Sequence, residues 1–362
     1  MTNTVVYDAN SSTFQLNIGT AAGDEIIRES KRVFIYQPGK SQQIFISGVF
    51  KAFKANVRQR MGYFGSENGV YFEQVDSVWN MVLRSSVTGT IQEIIKPQST
   101  WNVDRLDGSN VVNPSGLTLV SGTPMIFFVD LEWMGMGTVR VGFVINGVMR
   151  ICHQFHHANI DIGALTYATT ASLPLRYELT NLQATADSTG MTQGCASVIS
   201  EGGYNNFDFT ESAGTGLTEK QLPSSQVFYP VVSIRMISSR LDAVIIPRQV
   251  DCMATSNTYY RWRLLMNAVL TGSTFAGLSA TGTVQIDTAA TALSGGTEMQ
   301  SGYFRDREIT DLRSGDYFKF QLGRFLTNPQ GGATGSDHVT LAIAAVGDNH
   351  HVLAQLGWQE LT

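Results

Sequence analysis

The chain has 362 residues, of which 43% are hydrophobic and 15% charged, and its formal net charge is -5. This length allows two ordinary domains or one very large one, and the negative charge argues against nucleic-acid binding driven by phosphate neutralisation. No apolar run approaches the roughly 20 residues that a membrane helix requires. We therefore expect neither nucleic acid nor a membrane as a partner.

The N-terminal residues and the cysteines predict the cellular compartment in which the chain folds. They lack the basic start and apolar core of a cleaved signal peptide, so we do not expect secretion by that route. The cysteines are widely spaced and odd in number, at positions Cys152, Cys195 and Cys252. This usage favours a reducing cytosol over a disulfide scaffold.

Residues 1–30 mix polar residues with short apolar stretches. No stretch here is long enough to bury a face by itself, so the pattern predicts an N-terminal docking arm. From 31 to 204, short runs rich in β-branched and aromatic residues alternate with turn formers, which predicts a β-sandwich. Its strands are predicted at 33–36, 43–50, 57–64, 70–73, 78–83, 91–95, 125–133, 139–145, 173–179 and 196–200.

The clearest local signal is a β-hairpin. Val139, Val141, Phe143 and Ile145 alternate with other residues and so share one face of an extended strand. The dipeptide at 146–147 is Asn-Gly, which accepts positive φ at low cost and favours a two-residue turn. The return strand is predicted to begin at 148.

Residues 205–225 are polar and contain several glycines, which predicts a linker between domains. A second set of β-type segments follows and predicts a second sandwich over 226–362. Its strands are predicted at 231–236, 241–246, 259–266, 282–286, 317–322, 339–344 and 352–360.

Three histidines close to one another, His153, His156 and His157, are the nearest approach to a metal site. Zinc needs three or four convergent nitrogen or sulfur ligands, and this spacing is loose for that purpose. A strand end that leads into a polar loop or a subunit contact is the favoured interpretation. We assign no metal and no cofactor.

Two acidic residues, Asp130 and Glu132, lie two apart on a strong strand and so share a face. Glycosidases use two carboxylates at a fixed separation, but an exposed sheet face has the same pattern. With no phosphate-binding loop and no nucleophile elbow in the sequence, we predict no catalytic residue and no enzyme activity.

Aromatic and basic residues offer two further readings. Tyr71 and Trp101, together with Trp79 and Trp133, are candidates for stacking on a sugar ring, although such residues are more often part of a core. Arginines alternate with apolar residues in two segments, at Arg58 and Arg60 and again at Arg261 and Arg263. That alternation could bind an anionic glycan or nucleic acid. It more often reflects a strand with one face towards solvent and the other towards the core.

Several different longer motifs occur along the chain from about residue 23 onwards. In the first half they are RVFIYQPGKS at 32–41, NVRQRMGYF at 56–64, ENGVYFE at 67–73, WNVDRLDG at 101–108, VRVGFVING at 139–147, CHQFHHAN at 152–159, LPLRYE at 173–178 and VISEGG at 198–203. In the second half they are PVVSIR at 230–235, TALSGGT at 291–297 and LAQLGWQE at 353–360. In combination these motifs resemble a family of virion structural proteins of tailed bacteriophages, especially marine ones, with relatives in some large DNA viruses.

The resemblance implies a lectin-like or laminin-G-like sandwich for the first domain. The expected fold class is then all-β, with two tandem antiparallel sandwiches of jelly-roll or concanavalin-like type and a short N-terminal arm. The implied function is a non-enzymatic virion component, either a capsid decoration or head-fibre protein or a tail or baseplate fibre protein. The implied partners are other virion proteins and further copies of the chain, for example in a trimer, assembled in the host cytoplasm. The alternatives are a receptor-binding module for host surface glycans and, less favoured, a glycan-cleaving enzyme.

Overall fold

The chain folds almost entirely into antiparallel β-sheet, which confirms the predicted all-β class. The computed structural model describes residues 3–30, 33–34, 36, 39–109, 112–132, 135–159, 166–202, 210–237, 244–278, 282–305, 307–311 and 338–361, with backbone alone at 244, 307–311 and 361. The chain divides into two compact units, Met1–Asn205 and Asn206–Thr362. Within the described ranges, no helix is long and apolar enough to cross a membrane.

The described residues of the first unit form thirteen strands and one short 3₁₀ helix, Gln98–Thr100. The strands are β1 Thr4–Asp8, β2 Thr13–Ile18, β3 Glu25–Glu29, β4 Gln42–Phe50, β5 Val57–Phe64, β6 Gly69–Val75, β7 Val78–Ser85, β8 Gln92–Pro97, β9 Met125–Leu131, β10 Val139–Ile145, β11 Val148–Phe155, β12 Leu175–Asn181 and β13 Thr189–Ser200.

These strands form two sheets that pack face to face. Sheet A has the order β1-β2-β13-β4-β9-β10-β11, and sheet B has the order β3-β12-β5-β6-β7-β8. Alternate residues of both sheets meet in one apolar core. Phe72 of sheet B lies at its centre, with ring centroids 5.7 Å from Phe127 and 4.9 Å from Phe143 of sheet A. Full burial of such a ring contributes about 1.5–3 kcal/mol.

The predicted arm at 1–30 is wrong, because these residues supply β1, β2 and β3 of the sandwich. β2 hydrogen-bonds to β13, and β3 hydrogen-bonds to β12. Leu16, Ile18 and Ile26 are buried in the core. Each strand is too short to be stable alone, but pairing with a strand more than 140 residues away supplies the burial that the local sequence lacks.

The predicted hairpin is confirmed. β10 and β11 pair in an antiparallel ladder, with Ile145 opposite Val148. The two turn residues, Asn146 and Gly147, have φ of 55° and 75°. This is the left-handed conformation that the Asn-Gly pair adopts at low cost.

The second unit is also a sandwich. Its strands are β14 Thr210–Gly214, β15 Lys220–Leu222, β16 Tyr229–Met236, β17 Val244–Ala254, β18 Tyr260–Met266, β19 Val269–Thr271, β20 Ala276–Gly277, β21 Val284–Asp287, β22 Ala292–Ser294, β23 Thr297–Phe304, β24 Arg307–Asp311, β25 His338–Ala345 and β26 His350–Leu361. Sheet C has the order β14-β26-β17-β24, with β15 also on β26, and sheet D has the order β20-β21-β16-β25-β18-β23. β19 and β22 form a separate pair.

The core of this second unit lies between sheets C and D. Trp262 of sheet D and Trp358 of sheet C are both about 1% exposed or less, and they belong to one apolar cluster. The predicted strand at 317–322 lies outside the described residues.

The predicted linker at 205–225 is also wrong over its described part. β14 and β15 both hydrogen-bond to β26 and are therefore strands of the second unit. Leu222 is completely buried in its core. A polar, glycine-containing composition does not distinguish a linker from an edge strand, because an edge strand with one solvent-exposed face has the same composition.

Candidate functional sites

The histidine cluster lies where β11 ends. His153 and His157 are buried, whereas His156 is exposed. The ring centroid of His153 is 4.6 Å from that of Phe155 in an edge-on contact. Among the residues that the structure describes, no three His, Cys, Asp or Glu side chains are grouped so that they could hold a metal ion.

His153 serves to hold a loop. The backbone N–H of Asn102 donates to Nδ1 of His153 at 3.3 Å, and the Asn102 side chain exchanges two hydrogen bonds with the backbone of Gln154. Burial lowers the pKa of His153 to about 4, and the charges of Lys96 and His156 act in the same direction. The ring is therefore neutral near pH 7, as an acceptor at Nδ1 must be.

The two carboxylates predicted on one strand share a single cation. Nη2 of Arg140 lies 2.6 Å from Oδ2 of Asp130 and 2.5 Å from Oε1 of Glu132. Arg140 comes from β10, the neighbour of β9, and faces Asp130 directly across the ladder. Two carboxylates that share one guanidinium form a partly exposed ion-pair group on a sheet face, and nothing in this geometry separates an acid from a base.

The predicted sugar-stacking residues are buried, which corrects that expectation. Tyr71 and Trp101 are both 0% exposed, so neither ring can stack on a ligand at the surface. The Tyr71 hydroxyl donates to Glu93 at 2.8 Å, and Nε1 of Trp101 donates to the Lys96 carbonyl at 3.0 Å. Trp79 is 3% exposed, and Trp133 lies outside the described residues.

A charged network that the sequence did not predict covers the face of sheet B that points away from the core. We call it the Arg–Glu network. It consists of Arg58, Arg60, Arg84, Arg176, Glu29, Glu73, Glu93 and Glu178. Each strand of sheet B contributes at least one residue to the network. On β3, β12, β5, β6 and β7 these residues alternate with residues that point into the core.

The geometry of the network is tight. Arg60 pairs with Glu73 at 2.6 Å and with Glu178 at 3.3 Å, and Arg84 pairs with Glu93 at 2.7 Å. Arg60 also stacks over the Tyr71 ring, with its guanidinium carbon 4.8 Å from the ring centroid. Four arginines and four glutamates balance, so the face is close to neutral.

The network also fixes the protonation of its acids. Burial alone would raise the pKa of Glu178, but Arg60, Arg176 and Arg58 hold it below its ordinary value. Burial also acts to raise the pKa of Glu93. The hydrogen bonds from the Tyr71 hydroxyl and from Arg84 outweigh burial, so the pKa of Glu93 is lowered. The pKa of Glu29 is raised, by burial against the attraction of Arg176. Glu178 and Glu93 are therefore ionised and paired near neutral pH, which makes them poor general acids.

The outermost strands of the two sheets carry exposed apolar side chains, which the sequence did not single out. On β1, Val5, Val6 and Tyr7 are 44%, 52% and 54% exposed. On β8, Ile94 and Ile95 are 37% and 48% exposed. Successive residues point to opposite faces of a strand, so both faces of each edge strand are apolar and accessible. β1 contains no Lys, Arg or Pro, the residues that usually guard an edge against pairing.

Comparisons with known proteins give weak likenesses only. No protein-family model and no curated protein matches the chain. Among solved structures, the enzymatically active domain of tailspike protein 2 of bacteriophage CBA120 is 15% identical, with a TM-score of 0.32, and the match covers 54% of this chain and 27% of that one. The present chain thus spans about a quarter of the tailspike chain.

Two further solved structures are similar at the same level. A glycoside hydrolase family 16 endo-glucanase from Bacteroides ovatus is 12% identical, with a TM-score of 0.34, over 54% of this chain and 85% of that one. The receptor-binding domain of botulinum neurotoxin D is 9% identical, with a TM-score of 0.33, over 80% of this chain and 86% of that one. Similarity at this level assigns neither a family nor an activity to the chain.

Proposed function

We propose that the chain is a non-enzymatic structural component of a virus particle. Its place is that of a capsid decoration or head-fibre protein, or of a tail or baseplate fibre protein. The combination of motifs that resembles tailed-phage virion proteins supports this assignment. Assembly with other virion proteins and with further copies of itself is then its main activity.

The exposed apolar edge strand β1 is the observation that carries the proposal. An apolar strand with an unpaired edge pairs readily with another chain, and proteins that stay monomeric protect such edges with charges or proline. β1 has three adjacent apolar residues, each more than 40% exposed, and its one charged residue, Asp8, stands at the C-terminal end of the strand. Stable partners bury surfaces of this kind, which suits a protein that functions as part of an assembly.

The condition of the acidic residues supports a role without catalysis. Asp130 and Glu132 share Arg140, and the glutamates of the Arg–Glu network are paired with arginines. A glycosidase needs one carboxyl group that keeps its proton and a second that stays ionised at a set distance. In the pairs described above each carboxylate lies beside a guanidinium, which gives no such asymmetry between two acids.

The composition of purified particles tests the proposal. Particles of the encoding virus are banded in a density gradient, washed at high salt and quantified by mass spectrometry against the major capsid protein. A fixed copy number per particle, conserved through the salt wash, is expected. Presence in infected cells but loss from washed particles would overturn the proposal. A purified chain that cleaves glycans, and loses that activity in Asp130→Asn with Glu132→Gln, would show that the enzyme alternative is right instead.

A further inference from the structure

The second unit has an exposed strip of alternating arginine and tyrosine on the outer face of sheet D. We call it the Arg–Tyr strip. It consists of Tyr259, Arg261 and Arg263, in β18 and just before it, and of Tyr303 and Arg305, in β23 and just after it; β23 is an end strand of sheet D among the described strands. Arg261 lies directly opposite Tyr303 in the ladder. All five positions are odd-numbered and share one face, while Tyr260, Trp262 and Phe304 between them point into the core.

The aromatic rings of the strip are presented to solvent. Tyr259 is 62% exposed and Tyr303 is 72% exposed. The side chains of Arg261 and Arg263 are 35% and 31% exposed. This is the opposite of Tyr71 and Trp101, whose rings are fully buried.

Each arginine of the strip is stacked on a ring. The guanidinium carbon of Arg261 is 5.5 Å from the centroid of Tyr303, that of Arg305 is 5.4 Å from Tyr259, and that of Arg263 is 4.1 Å from Phe228. Stacking on an aromatic face fixes the plane of a guanidinium without using its N–H groups. The strip is thus ordered before any ligand arrives.

The positive charge of the strip is only partly compensated by the described side chains. Glu298 lies 3.7 Å from Nη2 of Arg261 and 3.1 Å from Nε of Arg263. A β-bulge between Leu264 and Leu265 shifts the register, so that Glu298 lies opposite Leu265. Such bulges re-aim side chains. Arg305 donates to the neutral amide oxygen of Asn257 at 2.9 Å.

Among the described side chains, three guanidinium groups therefore face one carboxylate, which leaves about two of their positive charges uncompensated on a chain whose net charge is -5. Planar guanidinium forks match carboxylate and sulfate groups, and exposed tyrosine rings pack against the apolar faces of sugars. From Tyr259 to Arg263 the strand advances about 13 Å, which suits a short oligosaccharide better than a single small ion.

We propose that the Arg–Tyr strip binds an anionic oligosaccharide, with its carboxylate or sulfate groups on Arg261, Arg263 and Arg305 and its rings on Tyr259 and Tyr303. The site does not depend on where, or whether, the chain sits in a particle. A single-stranded nucleic acid would use the same two kinds of group. Two uncompensated charges on an acidic chain make a small footprint for a phosphate backbone, so the sugar is favoured.

Calorimetric titration of the full chain tests this site with four probes. They are a heparin hexasaccharide for sulfate, an oligoguluronate for carboxylate, a neutral cello-oligosaccharide and a single-stranded oligothymidylate. Binding of at least one acidic saccharide, weakened by salt, is expected, with no binding of the neutral one. The sulfated and uronate probes then identify which acidic group is preferred.

Variants assign the binding to the strip. Arg261→Gln combined with Arg305→Gln is expected to weaken binding at least tenfold, since it removes two charge-assisted contacts. Tyr303→Ala is expected to weaken it several-fold, and Glu298→Gln to strengthen it several-fold by freeing Arg261 and Arg263. Arg140→Gln, which changes an arginine of the first unit with the same 35% side-chain exposure as Arg261, is the matched control and should leave binding unchanged.

Three results would overturn the inference. They are the absence of binding for both acidic saccharides, binding that Arg140→Gln reduces as much as the strip variants do, and tighter binding of the oligothymidylate than of either saccharide. Circular dichroism melts of each variant show whether the fold is intact, so that a loss of binding without a change in melting temperature is specific to the strip.

Discussion

Nε of Arg60 donates to Oε2 of Glu73 at 2.6 Å, between side chains that are 6% and 4% exposed on neighbouring strands. In the second unit, Nε of Arg263 lies 3.1 Å from Oε2 of Glu298, between side chains that are 31% and 38% exposed. The two pairs join the same residue types on sheet faces, but only the first is withdrawn from water. The arginine face of the first unit is therefore structural, whereas that of the second is available.

This contrast predicts different costs for the same substitution. Glu73→Gln leaves Arg60 buried with less compensation and should lower the free energy of unfolding by about 3 kcal/mol. Glu298→Gln disturbs a solvated pair and should change it by no more than about 1 kcal/mol. Urea unfolding followed by tryptophan fluorescence measures both. Equal losses for the two variants would contradict the distinction between the faces.

Sequence reasoning could not separate these two faces. In both segments two arginines are interleaved with apolar or aromatic residues, over 57–61 and over 260–263. What differs is the register, which places Glu73 and Glu178 opposite Arg60 but Tyr303 opposite Arg261. Glu178 is 118 residues from Arg60, and no local pattern predicts a pairing at that distance.

The hairpin, in contrast, was predictable because its information is local. Alternation from Val139 to Ile145 and the Asn-Gly turn define two adjacent strands without any distant partner. The arm and the linker were mistaken for the opposite reason. β2 and β14 are short, and they are strands only because β13 and β26 lie beside them.

The hairpin predicts a difference between two of its glycines. A Cβ on Gly142 would lie 1.9 Å from the carbonyl oxygen of Arg150, so Gly142→Ala must displace backbone. A Cβ on Gly147 meets nothing within 4 Å but sits at φ of 75°, where an L-residue costs about 1–2 kcal/mol. Gly142→Ala should therefore destabilise the chain more than Gly147→Ala in thermal unfolding. The reverse order would mean that β10 and β11 are not this close.

The buried His153 predicts a loss of stability in mild acid. Its folded pKa of about 4 lies below the ordinary 6.5, so the unfolded chain binds the proton more readily. Its contribution is constant above about pH 6.5 and falls by up to about 3 kcal/mol as the pH drops from 6.5 to 4. His153→Gln should flatten this part of the curve of unfolding free energy against pH, while the exposed His156→Gln, which removes only the last and smallest cause of the shift, should change it far less. An unchanged slope in His153→Gln would refute this origin.

The core of the first unit predicts a large effect at its centre. Phe72 contacts aromatic rings from both sheets, among them Trp79 of sheet B at 5.0 Å and Phe143 of sheet A at 4.9 Å between centroids. Phe72→Ala should lower the free energy of unfolding by about 3–5 kcal/mol. Tyr303→Ala, an exposed ring on a sheet, should lower it by about 0.5 kcal/mol or less. Comparable losses would place Phe72 outside a packed core.

A cryo-electron microscopy map of the intact particle tests the central claim most directly. The account predicts density for this chain at symmetric positions on the head or on the tail, with Val5, Val6 and Tyr7 of β1 buried against a neighbouring subunit. Particles assembled with the Val6→Lys variant should carry fewer copies of the chain than wild-type particles, because the lysine charge would enter that interface. A map that contains the chain with β1 open to solvent would contradict the assembly role of this edge, and particles that lack the chain altogether would contradict the central claim.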